Sequence, residues 1–212
     1  MKEFKIRCSA IGQIMPEPKA KKDLLSKSAQ TYCQNWLTEQ ITGQRKEFYS
    51  KEMLKGILVE NAAIDFIADQ LGLGMLSKNE EWFEDEHITG TPDVITPKFI
   101  IDNKSPWDAY TMPMFETELP NKDYYWQGQG YMELCKKPLH KVIYTLMDTP
   151  DVLVERELRS YCFNNGLDID DVDREKFRQK FRFGHIAPEY RLRQFDVPHD
   201  MEAGDKIRER VE

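Results

Sequence analysis

The sequence predicts a mixed α/β fold in which a central mixed β-sheet is flanked by helices. Three observations predict it. Apolar residues recur at helical spacing in two long segments, residues 23–41 and 51–71. Short apolar runs, rich in β-branched residues and bounded by Pro and Gly, follow from residue 81 to residue 104. The order of helices before, between and after these runs favours a mixed sandwich over a doubly wound parallel sheet.

The first two helices are predicted from their apolar patterns. Residues 23–41 carry apolar side chains at helical spacings, and Gly43 is placed to end that helix. Residues 51–71 form a stronger pattern, which Gly72 and Gly74 are placed to stop. The stripe predicted for this second helix comprises Leu54, Ile57, Leu58, Ile64, Ile67, Ala68 and Leu71.

Short strands and further helices are predicted in the rest of the chain. In order, they are strands at 81–84, 94–95 and 99–104 and a helix at 123–134. Residues 142–147 form the most apolar run and predict a buried strand, with 152–154 as its hairpin partner across 148–151. The chain then closes with a charged helix at 170–182, a strand at 190–197 and a helix at 201–211.

The length of 212 residues fits a single domain. Its expected parts are an N-terminal helical part at about 1–50, a core at about 51–160 and a C-terminal helix–strand–helix part at about 161–212. The N-terminus lacks an apolar signal core, and no apolar run approaches the roughly 18 residues of a membrane span. We therefore expect a cytoplasmic protein without a membrane partner. The cysteines form no Cys-x-x-Cys pair, which argues against a tetrahedral zinc site.

The net charge bears on the class of partner. A formal charge of -7 argues at first against nucleic acid, because phosphate binding favours a positive surface. The charge is unevenly distributed, however. Residues 1–50 hold nine Lys and Arg against five Asp and Glu, a balance of +4, so the remainder carries -11. The distribution of charge therefore matters more for such a partner than its total.

An arrangement of acids around one lysine is the most informative feature. Asp93 follows Pro92 at a predicted strand corner, and Asp102-Asn103-Lys104 comes nine residues later. In a strand, Asp102 and Lys104 project to one face, and the backbone carbonyl of Asn103 lies between them. Two aspartates and a carbonyl form a hard oxygen site for Mg²⁺ or Mn²⁺. A lysine beside such a site can orient a water or stabilise charge on phosphate oxygens.

Glu60 adds a third acid from the helix at 51–71. It lies beside the apolar stripe, where a carboxylate is costly unless it is paired or bound to metal. Each feature alone has an ordinary structural interpretation. An Asp-x-Lys pair is often an exposed salt bridge, Pro-Asp is common in turns, and Glu60 fits a solvated helix face. Their order and spacing together favour a functional site.

Helix acid, Pro-Asp, and Asp-x-Lys nine residues later resembles the pattern of the PD-(D/E)XK nuclease superfamily. Within it, the sequence resembles the phage lambda-type exonucleases, also called the YqaJ viral recombinase family. The matching blocks are Gly56–Ala63 (G-x-x-x-E-N-x-A), Thr91-Pro92-Asp93, Ile101–Pro106 (apolar-Asp-x-Lys-Ser-Pro), Gln127–Met132 (Gln-x-Gln-x-x-Met) and a Ser9-containing opening helix at 9–15. The resemblance implies a restriction-endonuclease-like core.

The same resemblance implies a role for each matching residue. Glu60, Asp93 and Asp102, with the Asn103 carbonyl, would hold one or two Mg²⁺ ions, which Mn²⁺ could replace. Lys104 would position the attacking water. The candidates for orienting Lys104 and contacting the substrate are Gln129, with Gln127 as the second choice, Ser9 at the terminal 5′-phosphate, Thr91, Tyr131 and, most weakly, Arg7. The family often has a glutamate where this chain has Asp102, which is one methylene shorter.

The function implied by the resemblance is Mg²⁺-dependent hydrolysis of double-stranded DNA. We expect a processive 5′-to-3′ exonuclease that leaves 3′ single strands for phage-type recombination. Implied partners are double-stranded DNA ends, a single-strand annealing protein and two further copies in a homotrimer, inside a bacterial host of a phage or prophage. The alternatives are an endonuclease or junction resolvase of the superfamily, a catalytically inactive DNA-binding module, and an enzyme without a nucleic-acid substrate.

Aromatic residues near the predicted site have two interpretations. Tyr124, Tyr125 and Trp126 lie on the predicted helix at 123–134, and packing onto the sheet is favoured over stacking on a base. Trp107 and Tyr110, in the irregular segment after Lys104, are the better candidates for contact with DNA.

Overall fold

The fold is described from a computed structural model that covers residues 3–20, 22–46 and 49–212. Residues 1, 2, 21, 47 and 48, all in the predicted N-terminal part, lie outside the described residues. The helices are α1 Ile11–Ile14, α2 Lys27–Thr42, α3 Lys51–Gln70, α4 Lys122–Cys135, α5 Asp151–Asn165, α6 Arg174–Gln179, α7 Pro188–Arg191 and α8 Met201–Val211. The strands are β1 Ile6–Arg7, β2 Phe83–Glu84, β3 Ile88–Gly90, β4 Val94–Ile95, β5 Ile100–Lys104, β6 Leu139–Thr145 and β7 Leu192–Pro198. Short 3₁₀ turns lie at Cys8–Ala10 and Ile169–Asp171.

The strands form two mixed sheets. The larger sheet has the order β4-β5-β6-β7, with β5 and β6 parallel and both outer pairs antiparallel. The smaller sheet has the order β1-β3-β2, with β1 parallel to β3. Mixed sheets flanked by helices are the fold class that the sequence predicts. The parallel pairing places Asp102 beside Val142 and Lys104 beside Tyr144, at the centre of the larger sheet.

The long helices begin at side-chain caps that can be read in the sequence. Ser26 accepts a hydrogen bond from the backbone N–H of Ala29, and Ser50 accepts one from that of Met53. Gly43 ends α2 with φ of 66°, a left-handed conformation that suits glycine. The predicted end of the first helix is confirmed.

Helices cover both faces of the larger sheet. Ile64 and Ile67 of α3 pack against Ile101 and Ile143 on one face. On the other face, Ile100 and Val142 pack with residues of α4 such as Met132, in a cluster that includes the N-terminal segment. This double coverage explains why consecutive residues of β5 and β6, Ile100 with Ile101 and Val142 with Ile143, are apolar and buried on both faces.

Two glycines let α4 approach its neighbours closely. A Cβ on Gly128 would lie 2.3 Å from Nδ1 of His140 in β6. A Cβ on Gly130 would lie 2.5 Å from Cδ1 of Ile11 in α1. The Gly-x-Gly spacing in this helix therefore allows it to pack between the larger sheet and the N-terminal segment.

The buried face of α3 differs from the predicted stripe. Its buried residues are Lys55, Val59, Ala63, Ile64 and Ile67. Ile57 and Leu58, which the stripe included, are exposed by 56% and 54%. Lys55, Val59, Ala63 and Ile67 recur at every fourth position, and this spacing describes the buried face better than the apolar stripe does. A stripe chosen by apolar character leaves out Lys55, with which the buried face begins.

The predicted hairpin after β6 is wrong. Residues 152–154 lie in α5, which starts after Pro150, and they do not pair with β6. Leu153, Val154 and Leu158 are buried on one face of that helix. The antiparallel partner of β6 is β7, in which Val197 pairs with His140.

Two further differences concern short elements. The predicted helix at 170–182 is broken into a 3₁₀ turn at Ile169–Asp171 and α6, Arg174–Gln179. Strands β1 and β3 were not predicted from the sequence. Among the described residues, no helix has the length and apolar character needed to cross a membrane.

Candidate active site

A cleft of about 600 Å³ opens between α3 and α4, beside the last residues of β5. Helix α3 contributes Glu60, the corner between β3 and β4 contributes Asp93, and β5 contributes Asp102 and Lys104. The structure therefore places the predicted helix acid, the Pro-Asp aspartate and the Asp-x-Lys pair in one cleft. Its remaining polar and aromatic lining residues are Glu52, Asn103, Ser105, Trp107, Thr111, Tyr124, Gln127, Tyr131 and Tyr144.

Asp93 is held against β5 by a backbone hydrogen bond. The N–H of Asn103 donates to Asp93 Oδ2 over 2.7 Å. The Asn103 side chain is directed to other partners, accepting from Thr145 Oγ1 at 2.7 Å and donating to Ser105 Oγ at 3.1 Å. Burial, and next the charge of Asp102, raise the pKa of Asp93 well above its usual range. Asp93 and Asp102 are thus close enough for the negative charge of Asp102 to disfavour ionisation of Asp93.

Asp102 and Lys104 form an ion pair inside this cleft. Lys104 Nζ lies 2.6 Å from Asp102 Oδ2, and the Asp102 side chain is only 3% exposed. Oδ2 is buried, and the ion pair with Lys104 is its polar contact in the described part of the chain. Burial is the largest single influence on the pKa of Lys104 and acts to lower it, but the neighbouring groups, chiefly Asp102 with Tyr124 and Asp93, together outweigh burial and the net shift is upward. Lys104 is therefore a cation in this arrangement.

Gln127 connects the members of this pair. Its Nε2 donates to Asp102 Oδ1 over 3.0 Å, and its Oε1 accepts from Lys104 Nζ over 3.3 Å. Lys104 Nζ also lies 4.2 Å from the ring centroid of Tyr124. One amide and one aromatic ring from α4 thereby fix where the ammonium group can sit.

The preference for Gln129 over Gln127 as the residue that orients Lys104 is corrected by this geometry. Gln129 is fully buried, donates to the carbonyl of Pro198 at 2.9 Å and accepts from the N–H of Asp200 at 2.9 Å. Residues two apart on a helix point in different directions, so only one of the two glutamines can face the cleft. Gln129 instead ties α4 to the corner between β7 and α8.

Tyr131 was predicted to contact the substrate, but the structure buries it and directs its hydroxyl to other residues of the site. It is 5% exposed, donates from its hydroxyl to the carbonyl of Thr91 at 3.2 Å and accepts from Gln127 Nε2 at 3.3 Å. The hydrogen bond from the Tyr131 hydroxyl connects Thr91 to the site through the Thr91 backbone carbonyl. Tyr131 therefore braces Gln127 and the segment before Asp93 at the floor of the cleft.

The donor chemistry of the cleft fits a divalent cation in part. Asp93 and Asp102 supply hard oxygen ligands, and Oδ2 of Asp102 is a buried carboxylate oxygen whose partner is the Lys104 ammonium group. Glu60 is instead paired with Lys78, with 2.6 Å between Nζ and Oε2. Within the described part of the chain, no three His, Cys, Asp or Glu side chains are close enough together to hold a metal ion. The two aspartates thus fit, while Glu60 must turn from Lys78 to join them.

Ser9 and Arg7 line a second cleft, of about 590 Å³, and not the acidic one. Its lining is basic and aromatic, comprising Lys5, Arg7, Arg45, Lys46, Tyr32, Trp36 and Trp82, with Glu39 as its acid and Ser9, Ala10, Gln13, Asn35 and Thr89 between them. The guanidinium of Arg7 lies 5.8 Å from the ring centroid of Trp82. Positive charge interleaved with aromatic rings is a surface suited to a nucleic-acid backbone and its bases.

Sequence reasoning missed or misassigned other residues near the site. Lys55 is fully buried and donates to the carbonyls of Pro106 and Trp107 at 2.7 and 3.0 Å, which tethers the segment after Lys104 to α3. Trp107, a candidate for DNA contact, is 5% exposed and packs 5.6 Å from Phe181 between ring centroids. Tyr110 is 98% exposed, as such a contact requires. Lys78 carried no sequence signal, because its partner Glu60 lies on a different element.

Comparisons with known proteins give matches among solved structures. No protein-family model matches the sequence, and no curated protein does. A phage-related exonuclease from Haemophilus somnus 129PT is 29% identical, with a TM-score of 0.79, over 99% of this chain and 91% of that chain. The alkaline exonuclease LHK-Exo from Laribacter hongkongensis is 14% identical, with a TM-score of 0.65, over 98% of this chain and 84% of that chain. A complex of LHK-Exo with dAMP is 16% identical, with a TM-score of 0.65.

These likenesses carry different weight. At 14% and 16% identity, LHK-Exo is similar to this chain in fold. The Haemophilus protein is similar in both sequence and fold over nearly the full length, which supports a nuclease function. With the motifs in their predicted order and the mixed sheets flanked by helices, the chain has the restriction-endonuclease-like fold of these exonucleases and is similar to the phage lambda-type, YqaJ-like exonuclease family.

Proposed function

We propose that this nuclease is a metal-dependent deoxyribonuclease that degrades double-stranded DNA processively from an end, in the 5′-to-3′ direction. The product would be DNA with 3′ single-stranded tails, the substrate for phage-type recombination. The observation that carries the proposal is the convergence of Glu60, Asp93, Asp102 and Lys104 on one cleft. The direction and the processivity rest on the family.

Asp93, Asp102 and the Asn103 carbonyl, joined by Glu60, would hold one or two Mg²⁺ ions, which Mn²⁺ could replace. When bound, the cation neutralises phosphate charge and acidifies water. Lys104 would orient the attacking water against the phosphate, because its ammonium group lies in the cleft and carries a positive charge. Gln127 and Tyr124 would keep that ammonium group in place. Tyr131 would support Gln127 from below.

The basic cleft supports a DNA substrate. Ser9 and Arg7, which line this cleft, would contact the terminal 5′-phosphate or the adjoining backbone, and Thr91 would add a hydroxyl to that contact. Lys5, Arg45 and Lys46 extend the positive surface beyond the predicted residues. A solved structure shows dAMP bound to LHK-Exo. By analogy, this chain would bind and release nucleoside monophosphates as products.

The assembly and setting proposed for the protein follow from the family. A homotrimer encircling the duplex would give processivity, and a single-strand annealing protein would receive the 3′ tails. The setting would be the cytoplasm of a bacterium that carries the phage or prophage. Light scattering during size-exclusion chromatography tests the trimer directly, through a mass near three times 25.0 kDa.

Digestion of three matched DNA substrates tests the proposed activity. Linear duplexes with 5′-phosphate or 5′-hydroxyl ends and a closed circular duplex are incubated with the protein and Mg²⁺. We expect nucleotides to be released from the linear duplexes, fastest from the 5′-phosphorylated one, and no cleavage of the circle. Lys104→Ala should lower the rate by about 100-fold or more, whereas Lys206→Ala on the exposed face of α8 should not.

Two results would contradict the proposal. Cleavage of the closed circle would identify an endonuclease or resolvase. DNA binding without any cleavage, in Mg²⁺ or Mn²⁺, would identify an inactive binding module. Chelation of the metal with EDTA should stop digestion and be reversed by added Mg²⁺.

A further inference from the structure

Glu60 is engaged by a lysine that none of the family motifs contains. Lys78 Nζ lies 2.6 Å from Glu60 Oε2, and the Glu60 side chain is 21% exposed at the rim of the acidic cleft. Glu60 lies in α3 and Lys78 lies outside that helix, 18 positions away in the sequence. The pair is therefore a tertiary contact and not a local helix pair.

The segment that carries Lys78 is fixed to the backbone of the site. The N–H of Asn79 donates to the carbonyl of Asp93 over 2.7 Å. The Asn79 side chain donates to the carbonyls of Pro92 and Glu81 at 3.1 and 3.0 Å. These bonds attach Lys78 to the same corner that supplies Asp93, so its ammonium group is directed toward the acids by ordered backbone.

The cleft consequently contains two lysines that neutralise acids. Lys104 is paired with Asp102, and Lys78 is paired with Glu60, each at 2.6 Å. Asp93 lines the same cleft and accepts a hydrogen bond from the N–H of Asn103. Since Glu60 is held by Lys78, the three acids do not form one ligand group in the described structure.

We propose that Lys78 is a positioning residue that holds Glu60 away from the aspartates until a divalent cation replaces the ammonium group as its partner. The inference rests on the proposed function, because it assumes that the acidic cleft binds Mg²⁺ or Mn²⁺. Lys78 would then set how much free cation is needed to complete the site. It lowers the affinity for metal while keeping the metal-free cleft from accumulating uncompensated negative charge.

Metal binding by variants at Lys78 tests this inference. Isothermal titration of Mn²⁺ into the full-length protein without DNA measures the affinity independently of catalysis. Lys78→Met should bind Mn²⁺ about two- to fivefold more tightly than the unmodified protein, because the cation no longer competes with a partly exposed ion pair. Lys78→Arg keeps the charge and should restore the lower affinity.

Lys51 offers a matched control on the same helix as Glu60. It pairs with Glu157 at 2.9 Å, and its side chain is 43% exposed, as is that of Lys78. Lys51→Met removes an equal charge and an equivalent ion pair and should leave the Mn²⁺ affinity unchanged. Glu60→Gln should abolish the effect of Lys78→Met, because the competing carboxylate is gone.

The outcomes separate the inference from the proposed function. If the unmodified protein binds Mn²⁺ and Lys78→Met binds it with the same or lower affinity, the role of Lys78 is wrong and the nuclease proposal stands. An equal gain in affinity for Lys51→Met would likewise overturn it, because a general charge effect would explain the result. If the unmodified protein binds no cation, both proposals fail.

Discussion

At the scale of single residues, the two oxygens of Asp102 have different partners. Oδ1 accepts a hydrogen bond from Gln127, and Oδ2 forms the ion pair with Lys104. A buried carboxylate is costly unless its charge is compensated, so both contacts offset the cost of burying Asp102. The acid that is least exposed in the cleft is thus the one with the most closely defined surroundings.

Gln127 and Gln129 allow these contacts to be tested by two substitutions. Gln127→Ala removes the amide shared by Asp102 and Lys104, and we expect a loss of about 10- to 100-fold in kcat. Gln129→Ala breaks two buried hydrogen bonds at the corner before α8 and should lower the free energy of unfolding by about 1–3 kcal/mol. Steady-state digestion rates and urea unfolding of each variant provide the measurements.

The two variants should therefore lose different properties, with Gln127→Ala losing kcat and Gln129→Ala losing stability. Gln129→Ala protein that remains folded should keep a kcat near that of the unmodified enzyme. A large loss of kcat in Gln129→Ala with normal stability would show that the arrangement described for α4 is incorrect.

At the scale of elements, the close contact of α4 with the larger sheet determines where its polar groups point. Gly128 faces His140 of β6, and the neighbouring positions 127 and 129 then point to the cleft and to β7. The helix cannot rotate or move outward without separating these contacts. The packing of one helix face thus orients both glutamines.

Two glycine substitutions test how close this packing is. Gly128→Ala would place a Cβ 2.3 Å from His140 Nδ1, so we expect a loss of stability of about 1–3 kcal/mol. Gly56→Ala in α3 has no atom within 4 Å of the new Cβ and should gain about 0.5–1 kcal/mol from helix propensity. Thermal and urea unfolding measure both. Equal effects of the two substitutions would contradict the described packing.

His140 makes the same interface sensitive to acid. The ring is fully buried and has no hydrogen-bond partner among the described residues, and burial lowers its pKa from 6.5 to about 4. Between pH 6.5 and about 4, His140 is protonated in the unfolded chain but neutral in the folded protein. The contribution of His140 to stability therefore declines as the pH falls through this range. The decline amounts to about 2–3 kcal/mol for this one group.

His140→Leu should remove that part of the pH dependence. Urea unfolding at pH 7, 5.5 and 4.5 would then give a smaller loss of stability for the variant than for the unmodified protein. An unchanged slope would mean that His140 is protonated in the folded state.

Local signals account for the elements that were predicted well. Ser26, Ser50 and Gly43 mark helix ends through contacts within four residues, which a sequence pattern contains. The pairing of Ile6 with Ile88 joins distant parts of the chain, so β1 and β3 had no local signal. Residues 152–154 were misassigned because β-branched apolar residues suit a strand as well as a buried helix face.

The residues of the candidate site likewise fall into those that local spacing predicted and those that depend on tertiary contacts. The spacing of Asp93, Asp102 and Lys104 brought them to one cleft as expected, since Asp102 and Lys104 share a strand face. The choice between Gln127 and Gln129 depended on which side of α4 packs against the sheet, and no pattern specifies that. Lys78 and Lys55 act through tertiary partners, so their contacts became visible only in the folded chain.

At the scale of the whole molecule, the charge of -7 is compatible with DNA because opposite charges occupy different clefts. Acids line the cleft between α3 and α4, where a cation would compensate them. Lysines and arginines line the cleft built from the N-terminal segment and α2. A duplex end that lies across both would meet positive charge at its backbone and carboxylates at the phosphate to be cleaved.

This separation predicts how DNA affinity depends on salt. Binding is measured with Lys104→Ala protein in EDTA, so that no cleavage occurs, over a range of KCl concentrations. Adding Arg45→Ala and Lys46→Ala should weaken binding. The slope of log K against the logarithm of the KCl concentration should become shallower by about 0.9 for each DNA phosphate that the variant no longer neutralises. Lys206→Ala on α8, whose side chain is 55% exposed and paired with Glu202, removes one positive charge outside either cleft and should leave the slope unchanged. If Lys206→Ala makes the slope as shallow as Arg45→Ala and Lys46→Ala do, the net charge, and not the basic cleft, governs attraction to DNA.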